Sequence, residues 1–364
     1  MRILHVSSAK TYGGGERHLV DLTRGLQSRG HEVFAAIRPT CKWKERLEHL
    51  PHENIFEVSI RNSFGVLSAI RIADFVRENK IEIIHAHVAR DYIPASIACM
   101  ASPAKFVLTR HVLFPLKPFN RFALKNLTKA IAVSDVVAVN LKRVFPPEKI
   151  EVIYNGIDTK SLNDEEKKGL RNEFRELHSI GDDVQLVGTL GELKELKGQR
   201  EFVLAASEIA KTNPGCRFVI VGKDNTVDRS FRRELRRLSG VLGIRDRILW
   251  LDWLDDTRPF YSAIDVFVSP SRSESFGLAM LEAMTSGVCL VATETDGAKQ
   301  LLGINGTFAR IEDPVDLANK IASMLGDKIM RTKAAAAVKG RAAAMFDLNT
   351  MIDRTERLYE SIIR

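Results

Sequence analysis

The chain has 364 residues, more than one hydrophobic core usually organises and about right for two domains. Its 45% hydrophobic and 27% charged residues are those of a globular protein, but the net charge of +8 is lopsided: residues 1–155 carry 23 Lys and Arg against 14 Asp and Glu, and the remainder is close to neutral. Four scattered cysteines without a C-x-x-C argue against a disulfide framework or a zinc knuckle, no apolar run reaches the ~18–20 residues of a membrane span, and the opening "MRILHVSSAK" turns polar too early for a signal peptide, so a cytoplasmic protein is expected.

Short apolar runs alternate with segments of helical spacing. "RILHVS" reads as a first strand, "ERHLVDLTRGLQSRG" as a helix stopped by Gly30, "HEVFAAI" as a strand and "AIRIADFVREN" as a helix. "IEIIHAH", "KFVLTRH" and "KAIAVS" read as further strands, and "KIEVIYNGID" closes this half. A charged stretch without strand character follows, from Thr159 to Asp183. The pattern then restarts with strand "VQLVGTLG", helix "QREFVLAASEIAKTN", strand "CRFVIVG", helix "SFRRELRRLSGVLG", strands "RILWLD" and "DVFVSPS", helix "GLAMLEAMTSG" and strand "VCLVATE". "KAAAAVKGRAAA" and "NTMIDRTERLYESIIR" read as helices. Alternating β and α with apolar strands means parallel sheets covered on both faces. Two such halves predict two doubly wound domains facing a cleft, with ligands beyond the carboxyl ends of the strands.

Functional residues are therefore sought just after strands. "YGGGER" follows the first strand, and its glycines Gly13, Gly14 and Gly15 allow close approach of a ligand to a helix start, or only a turn. A dinucleotide fingerprint needs a third glycine where His18 stands, and no G-K-[ST] completes a P-loop. His111 ends "KFVLTRH" at a strand's carboxyl end, as a ligand contact or a packing residue. His85 and His87 share one face of "IEIIHAH", but no third metal ligand is evident. Lys197 stands at the start of a helix, where a cation meets a phosphate favoured by the dipole.

"SRSESFGLAMLEAMTSG" places Glu274 just past a strand and Glu282 inside the following helix. Carboxylates accept bonds from sugar or ribose hydroxyls. The N–H groups around Phe276, Gly277 and Leu278 suit a diphosphate at the helix N-terminus. The plainer alternative makes Glu274 a cap and Glu282 part of a solvated face.

Taken together, "YGGGERHLVDLTRGLQSRGHEV", "AVS", "VIYNGID", "GELKELKG", "RFVIVGK" and "SPSRSESFGLAMLEAMTSGVCLVAT" occur in an order and spacing that resembles the retaining glycosyltransferases of family four. The resemblance covers roughly residues 1–345. It implies the GT-B fold: residues 1–158 as a Rossmann-like acceptor domain, joined by a C-terminal helix about 346–364, and residues 159–345 as the Rossmann-like donor domain. It implies that Glu274 contacts the donor sugar near the reacting carbon, Glu282 the ribose, Lys197 the diphosphate and His111 the transferred sugar, with Gly13–Gly15 near the phosphates and acceptor. It implies a UDP- or GDP-sugar donor, a hexosyl unit transferred to a glycan or lipid-linked acceptor in cell-envelope polysaccharide synthesis, and no metal, in keeping with the lack of a D-x-D. Two positions depart from the family pattern. Glu192 stands where an arginine is usual, leaving Lys194 and Arg272 as candidate substitute cations. "TDGAKQLL" keeps only Gly297 of a usual glycine pair and glutamate. A GT-B sugar-nucleotide epimerase and an inactive GT-B scaffold subunit are the alternatives.

Residues 103–134 contain no Asp or Glu, and Lys117, Arg121, Lys125 and Lys129 recur every four residues among Phe119, Phe122, Leu124 and Leu127. That spacing predicts a basic amphipathic helix on an anionic membrane, making the enzyme peripheral to the inner face of the cell membrane. No nucleic-acid-binding motif accompanies the charge.

Overall fold

The apolar runs pair into two parallel sheets in a computed structural model that describes residues 1–60, 62, 65–160 and 162–363. The first sheet contains β1 (Arg2–Ser7), β2 (Glu32–Ile37), β3 (Ile55–Glu57), β4 (Ile83–Ala86), β5 (Lys105–Arg110), β6 (Leu127–Ala132) and β7 (Ile150–Val152), in spatial order 3-2-1-4-5-6-7. The second contains β8 (Leu186–Leu190), β9 (Arg217–Val221), β10 (Ile248–Leu251), β11 (Val266–Ser269), β12 (Cys289–Thr293) and β13 (Thr307–Ala309), in order 10-9-8-11-12-13. Both are Rossmann-like α/β sheets. In each, strand order reverses at one point, β1/β4 and β8/β11. There the loops leaving neighbouring strands diverge and open a crevice.

The chain divides into two compact units, Met1–Asp158 with Asp347–Arg364, and Thr159–Phe346. In the first unit the C-terminal helix Leu348–Ile363 buries Met351, Ile352 and Tyr359 in the core beneath β1 and β4. Arg29 and His31 bind its Glu356 at 2.5 and 2.6 Å. In the second unit the charged stretch after Thr159 contributes the helix Asp164–Leu177, begun by a capping box between Asn163 and Glu166. Its Arg175 is 1% exposed and donates to the carbonyls of Gly181, Val184 and Ala263 at 2.7–3.0 Å. Hydrogen bonds to backbone oxygens thus replace the water this cation loses.

The basic amphipathic helix expected from Lys117 to Lys129 does not form. Only Asn120–Ala123 is helical. Pro115 and Pro118 restrict the residues before them and keep a helix from starting earlier. Leu127–Ala132 is β6, held between β5 and β7, and Leu124 and Leu127 are buried. Lys129 lies on that strand and its ammonium donates to the Glu148 carbonyl at 2.7 Å. Lys117, Arg121 and Lys125 remain exposed, beside exposed Val112, Phe114, Phe119 and Phe122.

Candidate active site

In the second unit the loops after β8 and β11, the two strands of the switch point, carry the candidate donor residues. The β8 loop ends in a short turn, Glu195–Lys197, before the helix Gln199–Thr212. The Arg272 N–H donates to the Leu196 carbonyl at 2.9 Å and ties the two loops together. This brings Lys197 Nζ to 2.5 Å from Glu274 Oε2, with side chains 27% and 11% exposed. A cation and an anion at the lip of a crevice are partly desolvated, so their attraction is stronger than on an open surface.

Past Glu274 the chain reverses into the helix Leu278–Thr285 through Gly277, whose φ of 100° excludes a side chain without strain. The first N–H groups of this helix have no partner within it. A second helix, Asp296–Leu302, packs on the same loop, and a Cβ on its Gly297 would lie 2.5 Å from the Glu274 carbonyl oxygen. Gly297 thus lets that helix seat the backbone of Glu274. Phe276 is buried, edge-on to Phe346 at 5.5 Å, so this position faces a ligand only through its backbone. Glu282 is buried, and the Tyr261 hydroxyl lies 2.9 Å from its Oε2 and 2.9 Å from the Ala279 carbonyl. Tyr261 orients the carboxylate. It comes from the short helix Arg258–Ala263, and nothing in the local sequence marks it, because its distinguishing partner lies 21 residues further on.

The substitute cations are already engaged. Lys194 pairs with Glu192 at 2.7 Å, and Asn225 donates to Glu192 at 3.0 Å. Burial pushes the Glu192 carboxyl up, but the bonds from Lys194 and Asn225 outweigh it and hold it below its usual range. Glu192 is therefore a neutralised carboxylate. Arg272 is shared among Glu195, Glu201 and Glu312. This leaves Lys197 as the cation placed beside Glu274.

In the first unit the helix Gly14–Ser28 starts inside the glycine run, with Gly13 as its extended N-cap. A Cβ on Gly15 would lie 3.6 Å from the His111 ring, so the loop and His111 are neighbours. His111 follows β5 and joins a histidine cluster: its Nε2 is 3.4 Å from His87 Nδ1, and its ring centroid is 4.9 Å from that of His18. His87 Nε2 is 3.0 Å from His5 Nδ1. His85, on β4, bonds Thr109 at 2.7 Å and Tyr359 at 2.5 Å. His5 thus joins His85 and His87 of "IEIIHAH" in one group of ring nitrogens, and His87 gathers with His18 and His111 in another. Burial lowers the pKa of His5 to about 3, with the His18 charge adding to it, and burial lowers that of His18 to about 4. His87 and His111 fall well below the usual value for the same reason. The cluster is neutral at pH 7.

Two carboxyls of the same unit are shifted upward. Asp91 accepts the Ser8 N–H at 2.7 Å, and burial raises its pKa to about 6. Burial raises Glu16 to about 7, although backbone N–H groups of Glu16 and Gly13 pull it down. A carboxyl whose folded pKa exceeds its unfolded value of 4.5 favours the fold in its protonated form. Stability is then lost as pH rises from about 4.5 to about 7. Glu16→Gln is accordingly expected to melt at the same temperature as wild type at the acid end of this window and higher at pH 8. Paired melting curves check this, and a gap that shrinks with rising pH would contradict it.

Two doubly wound parallel sheets, each with its candidate residues at the strand-order switch point, define the GT-B class of glycosyltransferase. The chain belongs to the group 1, family 4 glycosyltransferases: residues 12–161 match Glycosyltransferase Family 4 and residues 184–327 match Glycosyl transferases group 1. The lipopolysaccharide core biosynthesis glycosyltransferase LpsE of Rhizobium meliloti is 27% identical over 339 residues, 92% of each chain. The N-acetyl-alpha-D-glucosaminyl L-malate synthase of Bacillus anthracis is 23% identical over 94% of this chain and 93% of its own. Among solved structures, Anabaena HepE in complex with UDP and glucose superposes with a TM-score of 0.88 at 21% identity, over 99% of this chain and 100% of its own. WaaG, a glycosyltransferase of lipopolysaccharide biosynthesis, superposes with a TM-score of 0.75 at 15% identity, over 99% of each chain. Among the described residues, no helix is long and apolar enough to cross a membrane.

Proposed function

We propose that the protein transfers a hexosyl unit from a UDP- or GDP-sugar to a glycan or lipid-linked acceptor, with retention of anomeric configuration, in cell-envelope polysaccharide synthesis. The observation that carries this reading is the Lys197–Glu274 pair at the second sheet's switch point, set before the N-terminus of the helix Leu278–Thr285. A nucleoside diphosphate bears its charge where Lys197 and those N–H groups stand, and Glu274 accepts hydroxyls of the sugar beside it. Buried Glu282, oriented by Tyr261, accepts the ribose hydroxyls.

The reaction breaks the bond from the anomeric carbon to the diphosphate oxygen and forms one to the acceptor oxygen on the same face of the sugar. A donor phosphate oxygen takes the acceptor proton. The protein's part is electrostatic: Lys197 and the helix N-terminus stabilise charge that grows on the leaving diphosphate. They supply at this point the positive charge that a divalent ion brings elsewhere, so the donor site works without metal. His111 contacts the transferred sugar, Gly13–Gly15 approach the donor phosphates and the acceptor, and the first unit binds the acceptor. HepE was crystallised with UDP-glucose, which supports a uridine nucleotide, and the LpsE likeness supports an envelope glycan as acceptor. The exposed Phe114, Phe119 and Phe122 among Lys117, Arg121 and Lys125 support attachment to an anionic membrane where a lipid-linked acceptor resides.

Thermal unfolding with UDP, GDP, ADP and NAD tests the donor site. A ligand at one hundred times its dissociation constant adds about 2.7 kcal/mol. A selective shift with UDP or GDP is expected. A shift with NAD alone would overturn the assignment, and no shift with any would favour a scaffold. Product analysis with the matching nucleotide sugar separates transfer from epimerisation, which needs no acceptor.

A further inference from the structure

Three imidazoles from separate segments converge at the carboxyl end of the first sheet. His18 comes from the helix Gly14–Ser28, His87 from just past β4 and His111 from just past β5. One ring nitrogen of each lies within 4.8 Å of the other two. His87 Nδ1 and His111 Nε2 are 3.4 Å apart, close to the ~3.3 Å between two nitrogens each ~2.0–2.1 Å from one tetrahedral ion. On its other side His87 Nε2 lies 3.0 Å from His5 Nδ1. With its proton on Nε2 and donated to His5, His87 turns the Nδ1 lone pair toward His111. This is the outer bond that fixes tautomer and ring angle in metal-binding histidines.

His18 supplies a second, independent observation. Both its ring nitrogens are buried and neither has a hydrogen-bond partner. Its hydrogen-bonding neighbour is Asn155, and that contact falls short of full bond geometry, leaving Asn155 Oδ1 and both His18 nitrogens incompletely satisfied. A buried polar group left unpaired is costly, and native structures rarely leave one without cause. An ion between the three rings gives His18 a stronger partner than the poorly aligned Asn155 contact.

We infer that His18, His87 and His111 form a binding site for one borderline divalent transition-metal ion, zinc being the natural occupant. Three imidazoles with no carboxylate select such an ion over magnesium or calcium. His111, partly exposed where the other two are buried, gives the ion its access. A three-histidine set leaves a fourth position for water or a ligand atom. The site lies wholly in the first unit and is independent of the donor residues Lys197, Glu274 and Glu282. If His111 also contacts the transferred sugar, as proposed above, the ion competes with that contact and zinc inhibits transfer.

The test uses the full chain and does not rely on activity. Cobalt(II) titrated into the apo protein is expected to saturate at one equivalent, to develop the intense visible bands of a four- or five-coordinate ion, and to be displaced by zinc. His18→Gln should weaken cobalt binding at least ~10-fold, and His52→Gln, at an exposed histidine outside the cluster, should leave it unchanged. Crystals of the wild-type chain soaked in zinc should give an anomalous peak ~2.0–2.1 Å from His87 Nδ1 and His111 Nε2. This measurement needs no variant and decides the matter if His18→Gln does not fold. Absence of visible bands and of calorimetric zinc binding would overturn the site. So would affinity unchanged in folded His18→Gln, or an anomalous peak confined to other positions.

Discussion

Lys197→Ala and Glu274→Ala are each expected to lower kcat for glycosyl transfer by about 10²–10³-fold while the fold survives. Lys197 is the cation proposed for the diphosphate, because it stands beside Glu274 at the switch point, whereas Lys194 is tied to Glu192 and Arg272 is shared among three carboxylates. Charge on the diphosphate grows as its bond to the sugar breaks, so the lysine binds the transition state more tightly than the ground state. Its loss should fall mainly on kcat, with a smaller rise in KM. Glu274 is proposed to act on the sugar, and its carboxylate also holds the Lys197 ammonium at 2.5 Å. Because the two touch, the double variant should cost less than the product of the single losses. Glu274→Gln keeps the shape and breaks the ion pair, so it separates charge from packing. Circular dichroism and melting temperature establish that each variant is folded. Rates within a few-fold of wild type in folded Glu274→Ala would sink the assignment of this glutamate, and in folded Lys197→Ala that of the lysine.

The sheets were legible because a buried parallel strand is a short, almost unbroken apolar run, and β1, β5, β9 and β11 have that form in the sequence. The three-residue edge strands β3 and β13 escape such a reading, since so short a run carries no periodicity. The stretch 117–129 misleads for a different reason. Cations every four residues satisfy the helical period, but two prolines and the demand of β5 and β7 for a partner strand decide the backbone there. Lys197, Glu274 and Glu282 stood out because chemistry in doubly wound sheets sits just after strands. Tyr261, Asp91 and His5 did not, because what distinguishes them is a neighbour far away in sequence. His18 is the instructive case. In sequence it is the residue that spoils a dinucleotide fingerprint. On the helix it falls one turn after Gly14, on the face that turns toward His87 and His111.

Reversing Lys117, Arg121 and Lys125 together to glutamate is expected to reduce partitioning onto anionic vesicles by about 10²-fold or more, because each cation near such a surface contributes roughly 1 kcal/mol. The effect should fade as salt rises, as exposed charges are screened within a Debye length of about 8–10 Å. Replacing Phe114, Phe119 and Phe122 by serine should weaken binding comparably but at every ionic strength, since these rings, 67%, 51% and 75% exposed, act by leaving water rather than by charge. Lys129 tells the folded patch from the sequence periodicity that suggested it. A continuous helix would give it the same weight as the other three cations. On β6, with its ammonium bonded to the Glu148 carbonyl, it should matter little, and Lys129→Gln should bind like wild type. Vesicle co-sedimentation at low and high salt measures these four proteins and a fifth, Lys117→Gln. If wild type sediments no better with anionic than with neutral vesicles, the membrane attachment fails. If Lys129→Gln loses as much as a single change at Lys117, the cations act as a stripe and the aromatic patch is not the docking face.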